Sequence, residues 1–174
     1  NEELDYLTDE KEMFEFFGQK LGPVFKERNI VKKNLIEEEK DEDEIYNVQR
    51  EQQPFFIFIS DLGWFFETVY SSEFEMKGFL ETLFEKGRLH NIYFVGELSI
   101  ASVSELQGYR GFNLFSDYHQ GIHFGGKTVD NRLLSFDYMS YTEQSQSEKA
   151  GTGQLPDITS DDEASRIIVP LARK

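Results

Sequence analysis

Two short stretches hold residues whose types and spacing could do chemistry. In the first, Phe55-Phe56-Ile57-Phe58-Ile59 runs into Ser60-Asp61-Leu62. Five bulky apolar residues without polar alternation, entered from Pro54 and closed by a carboxylate, predict a strand buried on both faces with an acid at its C-terminal edge. That is the form of a Walker B strand, whose terminal acid holds the magnesium of a bound nucleotide or polarises the attacking water. It is also the form of an ordinary core strand followed by a polar turn, the commoner occurrence in α/β proteins.

The second stretch, Gly121-Ile122-His123-Phe124-Gly125-Gly126-Lys127-Thr128, matches the phosphate-binding pattern G-x-x-x-x-G-K-T letter for letter. A working loop of that kind needs a strand before it, small residues whose N–H groups wrap the phosphates, and a helix opening at the lysine. Here a helical pattern precedes Gly121 and the interior is Ile-His-Phe, which favours a strand ending in a Gly-Gly turn. Lys127 is therefore not read as a phosphate ligand. His90, His119 and His123 have no metal-ligand spacing, because Gly121 breaks any helix that would align the last two. They read as core or surface histidines. No serine stands in a G-x-S-x-G context and no carboxylate pair is identifiable as acid and base, so an independent hydrolase is unsupported.

The elements around these stretches follow from periodicity. Thr8 or Asp9 caps a first helix, with Glu12 at capping-box spacing and Met13, Phe14, Phe17, Leu21, Val24 and Phe25 on one face. Gly22-Pro23 predicts a kink or restart before a segment that turns Val24, Val31, Leu35 and Ile36 inward. Residues 37–50 begin with a run of charges and read as a solvated surface segment. After the apolar strand, Gly63 to Tyr70 reads as a short helix. A Ser72–Glu75 capping box then opens a helix ending at Gly87, and a turn at His90-Asn91 leads into the strand Ile92-Tyr93-Phe94-Val95. Strand, crossover helix and strand make a parallel βαβ unit, whose functional groups gather at the carboxyl ends of the strands: Ser60, Asp61, Glu97 and Ser99. Phe112 to His119 reads as a further helix, residues 143–165 as a flexible segment, and Arg166 to Leu171 as a closing edge strand.

Composition narrows the function classes. At 174 residues with 17 Phe, the chain can bury a core without staples, and it has no Cys for disulfides or thiolate metal sites. Lys and Arg number 18 against 33 acids, a net charge of -15, which disfavours contact with a nucleic-acid backbone. No apolar run approaches the ~18–20 residues that span a bilayer.

The succession Phe55-Phe-Ile-Phe-Ile-Ser-Asp61, Phe84-Glu-Lys-Gly87-Arg88, Asn91-Ile-Tyr-Phe-Val95, Gly121-Ile-His-Phe-Gly-Gly126 and Phe136-Asp-Tyr138 resembles the C-terminal ATPase-like module of the type VII secretion coupling protein, the FtsK/SpoIIIE-type family often called EssC. The resemblance covers about residues 55–142. It implies a RecA-like P-loop NTPase fold, degenerate or incomplete, with a mainly parallel sheet flanked by helices, and residues 1–174 as one module of a longer protein. It implies a regulatory, substrate-recognising role on the cytoplasmic face of the cell membrane, in a protein anchored there through its other parts. Implied partners are neighbouring ATPase modules and exported small helical-hairpin proteins of the WXG type. Ser60 stands where the family places its magnesium-binding Asp and Asp61 where the catalytic Glu falls, so ATP and Mg2+ are expected to bind weakly if at all. Arg88 matches an Arg after the crossover helix, with a role across a module interface or as a solvated helix-end cation. The alternative is an active Mg-dependent ATPase module that uses a P-loop upstream of this chain, with Asp61 as catalytic acid.

Overall fold

The computed structural model describes residues 7–73, 75–156 and 166–168, and the architecture is mixed α/β. Helix α1 (Glu10–Glu15) starts where its capping signal predicts, with Asp9 accepting the Glu12 N–H at 2.8 Å and the Glu12 carboxylate accepting the Thr8 N–H at 3.2 Å. A new α-helical segment starts at Gly22-Pro23, as the sequence predicts. A π-helical stretch, Phe16–Leu21, passes directly into α2 (Gly22–Glu37), and Pro23 falls in the first turn of α2. The Gly22 N–H donates to the Phe17 carbonyl five residues back, the wider π spacing, just before a proline whose ring would meet the carbonyl four residues back in a continuous α-helix. Val24, Val31 and Leu35 are half-buried as expected, whereas Ile36, one residue from the helix end, is 54% exposed.

The charged segment after α2 is more ordered than its composition suggests. Asp41 and Glu44 form a reciprocal capping box that opens α3 (Glu42–Glu51), and this helix buries Gln49. Strand β1 (Phe55–Ile59) is followed at once by α4 (Leu62–Ser71), then α5 (Lys77–Lys86), a 3-10 turn (Gly87–His90), Asn91 in the left-handed region at φ 55, and β2 (Ile92–Gly96). Strands β1 and β2 pair in parallel, in register from Phe55 opposite Ile92 to Ile59 opposite Gly96. This is the expected βαβ unit. The helix expected to open at a Ser72–Glu75 capping box starts later: α5 begins at Lys77, its N-cap Met76 makes no side-chain hydrogen bond, and the Ser72 hydroxyl donates to Glu10 at 2.7 Å.

One face of this sheet is packed. Phe94 meets Phe84 of α5 edge-on at 4.8 Å, and Phe66, Leu62, Leu80, Leu83 and Ile92 are among the most buried side chains. The other face corrects the sequence reading, for β1 is not buried on both sides: Phe56 is 57% and Phe58 72% exposed. Among the described residues the parallel sheet has two strands, and the helices cover the face that carries Ile92 and Phe94.

The remaining elements are α6 (Val103–Leu106), α7 (Arg110–Ser116), β3 (His123–Lys127), a 3-10 turn (Thr128–Asp130), α8 (Tyr141–Gln144), β4 (Ser147–Gln154) and β5 (Arg166–Ile168). Strands β3, β4 and β5 form a separate antiparallel sheet in that order, so a mainly parallel sheet is not what the described residues form. Gly125 and Gly126, at φ 64 and 63, lie at a bulge in β3 that few other residues would tolerate. Part of the segment read as flexible, 143–165, is therefore strand: β4 draws its order from ladders on both sides rather than from an apolar pattern of its own. Residues 157–165 and 169–171 lie outside the described residues.

By its internal contacts the chain divides into two compact units: Asn1–Leu98 with Leu106–Phe115, and Ser99–Glu105 with Ser116–Lys174.

Candidate functional site

The first unit places Ser60, Asp61 and Glu97 at the carboxyl end of the parallel sheet. All three are exposed. The strand ends are tied by main chain, with the Glu97 N–H donating to the Ile59 carbonyl at 2.8 Å and the Leu62 N–H to the Glu97 carbonyl at 3.1 Å. Asp61 then turns into α4 as its N-cap, and its Oδ1 accepts the Trp64 N–H at 2.9 Å. That oxygen satisfies one of the orphan amides at the helix start. Ser60 adds a neutral hydroxyl beside it.

Arg88 is not brought to this end. It lies in the 3-10 turn before β2, exposed, at the amino end of a strand parallel to β1, so about five residues of strand, roughly 16 Å, separate it from the Ser60 end. Ser99, His119, His123 and Lys127 belong to the second unit. There Lys127 closes β3 and leads into a three-residue 3-10 turn rather than into the N-terminus of an α-helix. Among the described residues no group of three or more His, Asp or Glu is placed to hold a metal ion.

The most developed polar constellation is one that sequence reasoning did not single out. Arg28 is 6% exposed and donates through Nη1 to the His90 carbonyl at 2.6 Å and the Asn91 carbonyl at 3.3 Å, and through Nη2 to the Gln53 carbonyl at 2.5 Å. Its guanidinium lies over the Phe55 ring at 5.4 Å. Gln49 donates to the Arg28 carbonyl at 3.2 Å and turns its Oε1 toward His90 Nδ1 at 3.3 Å, while Asn91 donates to the Gln52 carbonyl. Burial, then the charges of Lys32 and Arg28, depress His90 from 6.5 to about 4. A signal for this cluster existed: Val24, Arg28, Val31 and Leu35 share the spacing of one buried stripe, and a charge at such a position needs partners.

A smaller cluster joins Tyr70, whose hydroxyl donates to Glu81 at 2.6 Å and accepts the Gly111 N–H at 2.6 Å, to Arg110, 3.5 Å from Glu81. Burial and the Glu81 hydrogen bond push Tyr70 up to about 12. In the second unit, Asn131 Oδ1 accepts the Leu133 and Leu134 N–H groups, so its amide donates to His123 Nδ1 at 3.2 Å. The proton of His123 then sits on Nε2, a buried atom without a hydrogen-bond partner among the described residues. Burial lowers the His123 pKa, with the Gly125 main chain and the Glu148 and Asp130 carboxylates acting in the opposite sense. His90 and His123 are buried and His119 is exposed.

Two shallow concavities of about 300 and 280 Å³ are lined, respectively, by residues of 100–104 with 129–132 and by Val24, Arg28, Gln53 and Phe55 with their neighbours. Neither reaches Ser60, Asp61 or Lys127. The carboxyl end of the sheet presents one partly engaged carboxylate, a hydroxyl and the Glu97 side chain. No protein-family model, curated protein or solved structure matches the chain.

Proposed function

We propose that the chain is a RecA-like module, degenerate as an ATPase, of a type VII secretion motor, and that it recognises rather than hydrolyses. In this reading it docks on neighbouring ATPase modules and helps to select exported helical-hairpin proteins, and the membrane is reached through other parts of the motor. The observation that carries it is the state of Asp61. The single acid at the Walker B position caps α4, and the residue before it is Ser60, so magnesium would meet little negative charge. The parallel β1–β2 pair with its helical crossover is compatible with part of a RecA-like sheet. A net charge of -15 favours protein contacts over a DNA backbone.

Calorimetric titration with ATP, with and without magnesium, tests the nucleotide half of the reading, and titration with a purified helical-hairpin export protein tests the partner half. The expected result is no micromolar magnesium-dependent ATP binding and saturable binding of the hairpin protein. Micromolar ATP binding that needs magnesium and disappears in Asp61→Ala would replace this reading with an active ATPase module supplied with its P-loop from elsewhere.

A further inference from the structure

Parallel sheets are found almost entirely with both faces covered, and a two-stranded sheet is marginal by itself. Strands β1 and β2 depart from both norms. On the uncovered face, Phe56 stacks on Tyr93 at 5.2 Å with 20° between the planes and on Phe58 at 6.5 Å with 27°, and Val95, itself 47% exposed, completes the shelf. This shelf is continuous with an open edge. The Phe55 N–H reaches the Asn91 carbonyl and the Glu97 N–H reaches the Ile59 carbonyl, so Phe55, Ile57 and Ile59 direct their main chain to β2. In a parallel ladder the N–H and C=O groups of Phe56 and Phe58 then point to the opposite edge, which pairs with no other described strand. Open edges are ordinarily guarded by lysine, proline or a bulge, and β1 has none of these between Phe55 and Ile59.

We propose that this edge receives an extended strand from another polypeptide, apolar at alternate positions and basic where it meets Asp61 and Glu97, as a third strand of the sheet. Two features select that occupant over a second copy of the chain. At ~200 Å² per aromatic side chain, the shelf offers on the order of 300 Å², well under the ~800 Å² per partner of a stable dimer but suited to one strand. Two copies would also bring together net charges of -15 each, and the exposed carboxylates of Asp61 and Glu97 at the sheet end select for a basic partner. Main-chain pairing along Phe56 and Phe58 supplies the affinity, and the aromatic shelf reads the alternate side chains. The inference stands apart from the nucleotide question and does not rest on the proposed function.

The probe is a fluorescein-labelled peptide of alternating Thr and Val with two lysines at each end, measured by fluorescence anisotropy. The expected result is saturable binding, weakened about tenfold or more when glutamates replace the lysines and when Phe56→Ser and Phe58→Ser are combined, a change of ~1.4 kcal/mol or more. Both phenylalanines are exposed, so the double variant should keep its circular dichroism spectrum. Hydrogen exchange should show the Phe56 and Phe58 amides protected when the peptide is bound and unprotected without it. Absence of binding, or binding indifferent to the phenylalanines, overturns the proposal. Protection of both amides without peptide, accompanied by dimer in sedimentation, assigns the edge to a second copy and overturns it equally.

Discussion

The Arg28 guanidinium donates to the His90 carbonyl at 2.6 Å across a sequence separation of 62 residues, and this contact fastens α2 to the turn that delivers β2. The same side chain holds the Gln53 carbonyl just before β1. One buried cation therefore sets the spacing of both strand entries.

Replacing it with a side chain of similar length but no donors isolates that role. Arg28→Met leaves the Gln53, His90 and Asn91 carbonyls without their charged donor, and the expected loss is about 3 kcal/mol. Arg28→Lys should fall between, because a single ammonium cannot reproduce the planar fork that spans three carbonyls. Urea unfolding followed by near-ultraviolet circular dichroism reads both. A loss under a few tenths of a kcal/mol in Arg28→Met would show that water replaces the guanidinium without cost.

His90 gives the fold an acid-sensitive point. Gln49 orients its ring so that Nδ1 carries the proton, and a second proton on Nε2 would charge an imidazole whose ring centre lies 4.9 Å from that of Phe25, in the field of Arg28 and Lys32. With the folded value near 4 and the ordinary value at 6.5, the unfolded chain takes up a proton in that window and the folded chain does not. Stability contributed by neutral His90 is thus present above pH 6.5 and lost as the pH falls toward 4. His90→Gln should lose less stability than the parent between about pH 7 and about pH 5. Equal losses in the two proteins would place the acid sensitivity elsewhere, with His123 next in line since burial depresses it in the same direction.

Much of this architecture is legible residue by residue. Asp9 with Glu12 announces α1, the Phe55–Ile59 run announces β1, and Ile92 to Val95 announces its parallel partner, because caps and apolar runs are local signals. The exposure of Phe56 and Phe58 was not legible, since a continuous apolar run records what a strand could bury and not how many neighbours cover it. Strand β4 escaped for the opposite reason: its order comes from ladders with β3 and β5, and Gly151-Thr152-Gly153 carries no trace of them. At the site, sequence marks Ser60 and Asp61 correctly as residues at a strand's carboxyl end, but only the structure shows the Asp61 oxygen on the Trp64 amide.

Gly96 closes the sheet against α4 at a distance that admits no side chain. A Cβ there would lie 2.6 Å from Leu62 Cγ and Cδ1, and Leu62 is itself buried. Gly96→Ala should therefore cost about 1–3 kcal/mol by overpacking. Leu62→Ala alone should cost about 2–5 kcal/mol through the cavity it leaves. In the double variant the new methyl enters that cavity, so the combined loss should be smaller than the sum of the two by about 1 kcal/mol or more. Strict additivity in urea midpoints would mean that the strand shifts instead of the leucine.

Asp61 allows capping and catalysis to be separated in one residue. As an N-cap it uses an oxygen acceptor, and any short side chain with one will serve; as a metal ligand or catalytic acid it needs its charge. Asp61→Ala should destabilise α4 by about 1 kcal/mol, whereas Asp61→Asn and Asp61→Ser should stay within a few tenths of the parent. Thermal unfolding of the three variants gives that ranking, and ATP titration of the same samples gives the other. If Asp61→Asn keeps full stability and nucleotide affinity is unchanged across all three, the carboxylate serves the helix. Should Asp61→Asn instead keep stability but abolish a magnesium-dependent affinity present in the parent, the charge itself is used and the module is a nucleotide enzyme.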